Sequence, residues 1–397
     1  MKIFVSGDIV ISKTRNKIVD SMLNALIEEC DISICNFEAP VESSGQAIPK
    51  AGPHLNQTIE SVELIKETGF NVCSLANNHI YDYGDVGLRE TLDIITKNEL
   101  ESIGAGMDFN SAYKPLIKVV NDVKIGLLSL CESEFGSLLD NENRGGYGYI
   151  NHLNVNDIIR KIRDEVDCLI LIAHGGVEEV PLPLPQWRER YRNLCDQGVD
   201  FVIGHHPHVP QGYEKYKNSM IFYSLGNFFM DSGDFENKLN YGYSVILDIS
   251  KEKNDFKLVP HYTKNNFVQI CNEDEYTEYL KKLNEWLEKD YELLSNQQAL
   301  YLYSTRYRKY YCSATGAIHL QMNFLEKITN ILSQLIMSEK NTEFRELLML
   351  HNIRIDSHRY STQHALSLLC EKKQECNYNL FEKIISDNKK YLGFDDV

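Results

Sequence analysis

The 397-residue chain carries 41 Lys plus Arg against 57 Asp plus Glu, a net charge of -16 at pH 7, with 43% hydrophobic and 25% charged residues. The proportions are those of a globular protein, and the length suits a large α/β domain with an appendage, or two domains. The negative field argues against a general affinity for nucleic acid or anionic membrane, because it would repel both.

Up to residue 264, short apolar, β-branched runs alternate with amphipathic stretches, the pattern of parallel βαβ units. The predicted strands are 2–6, 31–36, 70–76, 116–120, 124–130, 167–173, 200–204, 220–225 and 242–249. Helical spacing falls on Asn16 to Glu29, Thr58 to Glu67, Val86 to Asn98, Asn154 to Glu165 and Trp187 to Gln197. From 265 to 397 the character changes to a helical extension, with long amphipathic helices expected over Asp274 to Leu294 and Ile318 to Met337. With no flexible linker between them, the two parts are expected to pack together. The ten cysteines form no CxxC pair, and Cys73, Cys131 and Cys168 stand inside apolar runs as small hydrophobes, which points to a reducing compartment. No apolar segment approaches the ~20 residues of a membrane span. Met1 to Val5 lead straight into a strand without a basic-then-apolar signal region, so the expected location is cytoplasmic.

Strand ends carry the chemistry. Strand 2–6 leads into Gly7-Asp8, strand 31–36 into Asn36-Phe37-Glu38, strand 70–76 into Asn77-Asn78-His79, strand 167–173 into His174, and strand 200–204 into Gly204-His205-His206-Pro207-His208. One such exit is an ordinary turn or helix cap. Five together make a site, because function in α/β sheets gathers at the carboxyl ends of strands. Residues two apart in extended backbone point the same way, so His206 and His208 can converge on one point. The mixed nitrogen and oxygen set suits Mn, Fe or Zn and lacks the thiolates of a structural zinc site. Six ligands exceed the need of one ion. A pair about 3.5–4 Å apart, bridged by a carboxylate, would use them all, lowering the pKa of a bridging water and clamping a phosphoryl oxygen.

Gly7-Asp8, Asn36-Phe37-Glu38, Ala76-Asn77-Asn78-His79 with Asp82-Tyr83-Gly84, His174-Gly175-Gly176-Val177-Glu178, Gly204 to Val209 and Tyr223 to Phe228 together resemble the signature series of the CapA family. These are capsule and poly-gamma-glutamate biosynthesis proteins on the calcineurin-like metallophosphoesterase fold. The resemblance covers about residues 1–250 and implies a four-layer αββα sandwich, so the single-sheet reading would have to split. It further implies Asp8, Glu38, Asn78, His174, His206 and His208 as ligands of two divalent transition-metal ions, with Glu38 bridging and His79 near the leaving group. Two positions depart from the wider superfamily: Val10 stands where a histidine is usual, and Glu38 where Asp is. One metal site is therefore expected to be weaker. Family members are often anchored at the N-terminus, whereas this chain begins at the first strand.

Asp82, three residues after His79, can take that ring's proton and hold it cationic, making His79 with Asp82 the catalytic pair. His205 reads as a supporting or structural histidine. Glu178 is either a ligand or an exposed loop carboxylate, and Asn227 either bonds site histidines or shapes its turn. Tyr147 and Tyr149 are expected in a loop that is a surface turn or a substrate cover, and Tyr301 to Tyr311, with Arg306 and Arg308, on a solvated face or against an anionic substrate. The leading expectation is a dinuclear hydrolase with a metal-bridging hydroxide nucleophile, acting on a phosphoester of a small-molecule or polymer substrate. The alternatives are an amide or gamma-glutamyl peptide hydrolase and a non-catalytic, metal-stabilised accessory protein of polymer synthesis. The extension is expected to be a lid or partner surface that supplies no ligand.

Overall fold

The computed structural model describes residues 1–140, 143–232, 239–317, 324–325, 327–328, 339–375 and 377–392. In chain order, β1 (Lys2–Val10), β2 (Ile32–Phe37), β3 (Val72–Ser74) and β4 (Glu101–Ile103) build the parallel half of a first sheet. The short β5 (Ala105–Gly106) begins a small separate sheet. β6 (Leu116–Val120) and β7 (Val123–Cys131) open a second large sheet, after which β8 (Ser137–Leu138) and β9 (Gly146–Gly148) complete the small one. β10 (Cys168–His174), β11 (Phe201–His205), β12 (Tyr213–Tyr216) and β13 (Ser219–Phe222) finish the second sheet in the order β12-β13-β11-β10-β7-β6. β14 (Asn227–Met230) then returns to lie parallel to the end of β1, on the side away from β2, and on that same side β15 (Asn240–Ile249), β16 (Asn254–Lys264) and β17 (Phe267–Ile270) extend the first sheet antiparallel from the start of β1.

Alternation along β1 shows how the sheets stack. Ile3 and Val5 share one buried cluster with Ile125 and Leu127 of the second sheet, while Phe4 faces the opposite way, into a cluster with Leu23, Ile27, Val62 and Ile65. Those last residues belong to the helices Ser21–Glu28 and Glu60–Glu67, which cover the outer face of the first sheet. Ile159, Ile162, Trp187 and Leu194, from helices Val155–Arg163 and Pro185–Asp196, pack in the cluster that contains the second sheet. The result is a four-layer αββα sandwich, as the resemblance implied, and the single parallel sheet gives way to two facing sheets with antiparallel edges.

Several expectations need correction. β1 runs on through Asp8 to Val10, so Asp8 lies inside a strand, at a register shift against both β2 and β14. Tyr147 is neither surface turn nor cover: it is fully buried in β9, and its hydroxyl accepts a hydrogen bond from the Glu134 amide at 3.0 Å. The stretch Asp274 to Leu294 forms two helices, Asp274–Glu288 and Tyr291–Leu302, while the candidate helix Ile318 to Met337 lies largely outside the described residues. No helix among the described residues is long and apolar enough to cross a membrane.

After β17 the described residues are mainly helical, continuing through a π-helical turn Tyr303–Tyr307 to helices Arg308–Thr315, Glu339–Arg354, Asp356–Leu366 and Asn379–Asp387. This extension shares the sandwich's core: Tyr276, Leu283, Tyr307 and Phe381 belong to the same buried cluster as the second sheet. Side chains also bridge the two parts, with Gln298 Nε2 donating to the Leu182 carbonyl at 2.9 Å and the Tyr291 hydroxyl to the Pro183 carbonyl at 2.9 Å.

Candidate metal centre and its cavity

Close backbone approaches bring the strand ends together. A Cβ on Gly7 would stand 2.0 Å from the Gly226 carbonyl oxygen, and one on Gly204 2.0 Å from that of Tyr223. Only glycine fits at either place. The Asp8 amide can then bond the Gly226 carbonyl (3.2 Å), which seats β1 beside the turn carrying Asn227. His206 and His208 both adopt left-handed backbone, with φ of 95° and 60°. That conformation costs roughly 1–3 kcal/mol per residue and is found preferentially where function requires it.

Asp8, Glu38, Asn78, His174, His206 and His208 all converge, and all are buried. Potential ligand atoms of Glu38, His174 and His206 lie within 4.8 Å of one another, as do those of Asp8, Glu38 and His208. Glu38 belongs to both groups. Asn78 Oδ1 is 3.1 Å from His174 Nε2, which is itself 3.1 Å from His206 Nδ1, so Asn78 joins the first group. Glu178, exposed at the rim, forms a third group with His206 and His208. His205 turns away: its Nε2 meets the Ser6 carbonyl at 2.9 Å. Asn227 Oδ1 lies 3.0 Å from His208 Nδ1.

The two central carboxylates sit in opposite electrostatic states. Burial works against the charge of Asp8, yet a hydrogen bond from His208 and the nearby imidazoles hold it well below the usual carboxylate range. Burial, reinforced by the charge of Asp8, pushes Glu38 well above that range. Neither oxygen of Glu38 has a hydrogen-bond partner among the described residues. A fully buried carboxylate without donors is costly unless something positive compensates it. The surrounding imidazole and carboxylate donors fit a divalent ion of the Mn, Fe or Zn class. Val10 is fully buried, paired with Met230 of β14.

His79 Nδ1 lies 2.8 Å from Asp82 Oδ2, as the sequence spacing implied. Asp82 does not serve it alone, for Lys50 pairs with the same carboxylate and the Leu55 amide donates to it at 2.8 Å. Burial and the adjacent Lys50 lower the His79 pKa despite Asp82. The expected cationic imidazole is thus replaced by one with a weakened hold on its proton.

Four contributors escaped the sequence reading. Asn36 Nδ2 donates to Asp8 Oδ1 at 2.6 Å and lies 3.1 Å from His174 Nδ1; its position two residues before Glu38, on the same strand face, was the available signal. Glu132 and Glu134 follow β7, a sixth strand exit of the same kind. Burial pushes Glu134 up to about 8. Glu132 is fully buried, and its carboxylate accepts from the Gly176 amide (2.9 Å), the Ser357 amide (2.8 Å) and the Ser357 hydroxyl (2.9 Å), while His206 Nε2 stands 3.8 Å away. One side chain thereby joins the His174 loop, a site histidine and the first turn of the extension helix Asp356–Leu366. Lys50 sits in a loop with no sequence signal.

A cavity of about 480 Å³ opens over Asn78, His79 and His206, and Arg306, Tyr307, His351 and His358 of the extension line its far side. Arg308 instead stacks over Tyr303, away from this cavity.

The facing-sheet sandwich, with acidic and imidazole groups gathered where its strands end, is the arrangement that the resemblance implied. Residues 2–232 match the family described as bacterial capsule synthesis protein PGA_cap, and the chain belongs to that family. It is 30% identical over 242 residues to the capsule biosynthesis protein CapA of Bacillus anthracis, covering 57% of this chain and 59% of that protein. To the PGA biosynthesis protein CapA of Bacillus subtilis (strain 168) it is 32% identical over 239 residues, covering 57% and 62%. The chain thus spans roughly three fifths of these relatives, 59% and 62% of their lengths. Among solved structures, a 5'-nucleotidase precursor from Thermus thermophilus superposes with a TM-score of 0.41 at 10% identity, covering 74% of this chain and 59% of that one.

Proposed function

We propose that the chain is a metal-dependent hydrolase of the capsule and poly-gamma-glutamate type of pathway, with two divalent ions held at the strand ends and a phosphoester as its substrate. The observation that carries the reading is Glu38: a buried carboxylate with no donor on either oxygen, shared by two groups of candidate ligands. Glu38, Asn78, His174 and His206 would hold one ion, and Asp8, Glu38 and His208 the other. Ions of this class supply Lewis acidity, which activates water and neutralises an anionic oxygen. The protein's own residues do the rest. Asn36 fixes the orientation of Asp8 and His174 through its amide. His79, steered by Asp82 at Nδ1, presents its other nitrogen to the departing oxygen as a proton donor. Burial and Lys50 lower its pKa, so near neutral pH the ring is protonated less often than a free imidazole, and donation draws on the cationic fraction that Asp82 and an anionic substrate favour.

Loading the purified chain with Mn²⁺ and counting ions by elemental analysis should give two per chain, the second bound more weakly because Val10 withholds a ligand. One ion or none at saturation would end the dinuclear reading. Turnover of a generic aryl phosphodiester supports the phosphoester assignment. Turnover of a gamma-glutamyl peptide alone would move the reading to amide hydrolysis, and turnover of neither, with both ions bound, to an accessory role.

A further inference from the structure

The cavity over the strand ends is within the roughly 300–1,000 Å³ typical of small-ligand sites, and its far wall is made by the extension. His351 and His358 stand with ring centroids 5.2 Å apart, and His358 lies 4.8 Å from the ring of Tyr307. The Nδ1 atom of each imidazole is buried, and neither meets a hydrogen-bond partner among the described residues. Buried polar atoms are ordinarily paired, so two orphans lining one cavity call for an explanation. Beside them, Arg306 gives one N–H to the Glu178 carbonyl (3.3 Å) and another to the Glu179 carboxylate (3.0 Å), two of the five a guanidinium carries. The Arg306 and Tyr307 positions fall in a π-helical turn, a distortion that recurs at functional sites.

We propose that the extension forms a second subsite of this cavity, in which Arg306, His351 and His358 hold a carboxylate of a small ligand whose other anionic end reaches Asn78, His79 and His206. The proposal rests on the reading that the strand-end cluster, once loaded with metal, takes the reacting group. Burial keeps both imidazoles neutral at pH 7, each with one N–H to donate, and a guanidinium matches the planar geometry of a carboxylate. The ligand is therefore a short molecule with two anionic ends, held at both. The competing account is that the two rings only fill space against Phe135, whose ring lies 6.0 Å from His351.

Calorimetry on the full-length, Mn²⁺-loaded protein separates the two with two probes, inorganic phosphate and the dipeptide γ-glutamyl-glutamate. Replacing both rings (His351→Phe with His358→Phe) should weaken dipeptide binding at least tenfold and leave phosphate affinity and Mn²⁺ content unchanged. Arg306→Gln should weaken the dipeptide in the same sense, and His358→Gln, which keeps a donor, should recover part of the loss. Unchanged dipeptide affinity in the double variant would overturn the proposal, and so would parallel loss of phosphate or Mn²⁺. Wild-type protein that binds phosphate but not the dipeptide would also overturn it while leaving the hydrolase reading intact. Conversely, imidazole-dependent dipeptide binding in a chain that hydrolyses no substrate would uphold the subsite and end the hydrolase reading.

Discussion

The sandwich and the extension both deliver polar groups to one cavity, by opposite means. In the sandwich, the candidate ligands sit on strands or in the short loops that follow them, and Asp8 is paired on both sides, with Asn36 and Asn227. In the extension, the cavity residues sit on helices whose orientation depends on docking, through a shared apolar cluster and buried polar bonds such as Ser357 with Glu132. The sandwich therefore sets where charge can be held, and the extension sets what can reach it. Substitutions in the two regions should fail in different observables.

The sharpest break is expected at the shared carboxylate. Glu38→Ala should abolish stable Mn²⁺ binding altogether, since it belongs to both ligand groups; elemental analysis that still finds two ions would contradict the assignment of Glu38. His79→Ala should keep both ions and lower kcat roughly 10²–10⁴-fold, the usual scale for a general acid. Loss of metal in that variant would make His79 a ligand instead.

Ser357→Ala probes the extension's hold. It removes the hydroxyl that donates to Glu132 and accepts from Trp187 Nε1 at 2.9 Å, and should cost about 1–3 kcal/mol by leaving buried partners unpaired. Denaturant unfolding gives that cost, and hydrogen exchange should show the loss concentrated in helix Asp356–Leu366. Exchange that rises equally in the first sheet would mean the two regions are one cooperative unit.

The last expected effect is one of pH. Burial holds His351 at about 4 and His358 at about 3, against roughly 6.5 for an exposed imidazole. The unfolded or undocked form binds more protons between those values, so the stability these groups contribute is whole above about pH 6.5 and is lost as pH falls toward 4. Amide exchange in the extension, corrected for intrinsic rates, should quicken between pH 7 and pH 5 in the wild type and much less so after His351→Phe with His358→Phe. A flat wild-type profile would show that the rings stay exposed enough to titrate normally.

What could be read from sequence follows the same division. Strand exits at Glu38, Asn78, His174 and His206 were legible because a buried apolar run followed by an isolated polar group has few other uses. Asn36 and Glu132 obey the same logic, yet Asn36 is read only as part of a motif, and strand 124–130 is not counted among the exits. The second sheet could not be read from periodicity, since buried strands of either sheet are uniformly apolar; only the resemblance implied it. Lys50 and the His351–His358 pair were out of reach. Lys50 comes from a loop that meets Asp82 only in three dimensions, and the imidazoles lie on two helices broken at Ile355, so no single helical period aligns them.

The bond between Glu132 and Ser357 also sets an order of events in the cell. Its partners are 225 positions apart in sequence, and a ribosome adding about 5–20 residues per second needs on the order of 10–45 s to cover that distance. Once β17 has been made at Ile270, and until Ser357 follows, the two large sheets can pair while the Glu132 carboxylate, the Gly176 loop and His206 still face water. The cavity closes only when the last helices arrive. A nascent chain of this protein should therefore acquire its sandwich early and its finished site late, so that premature termination within the extension leaves a folded but open molecule.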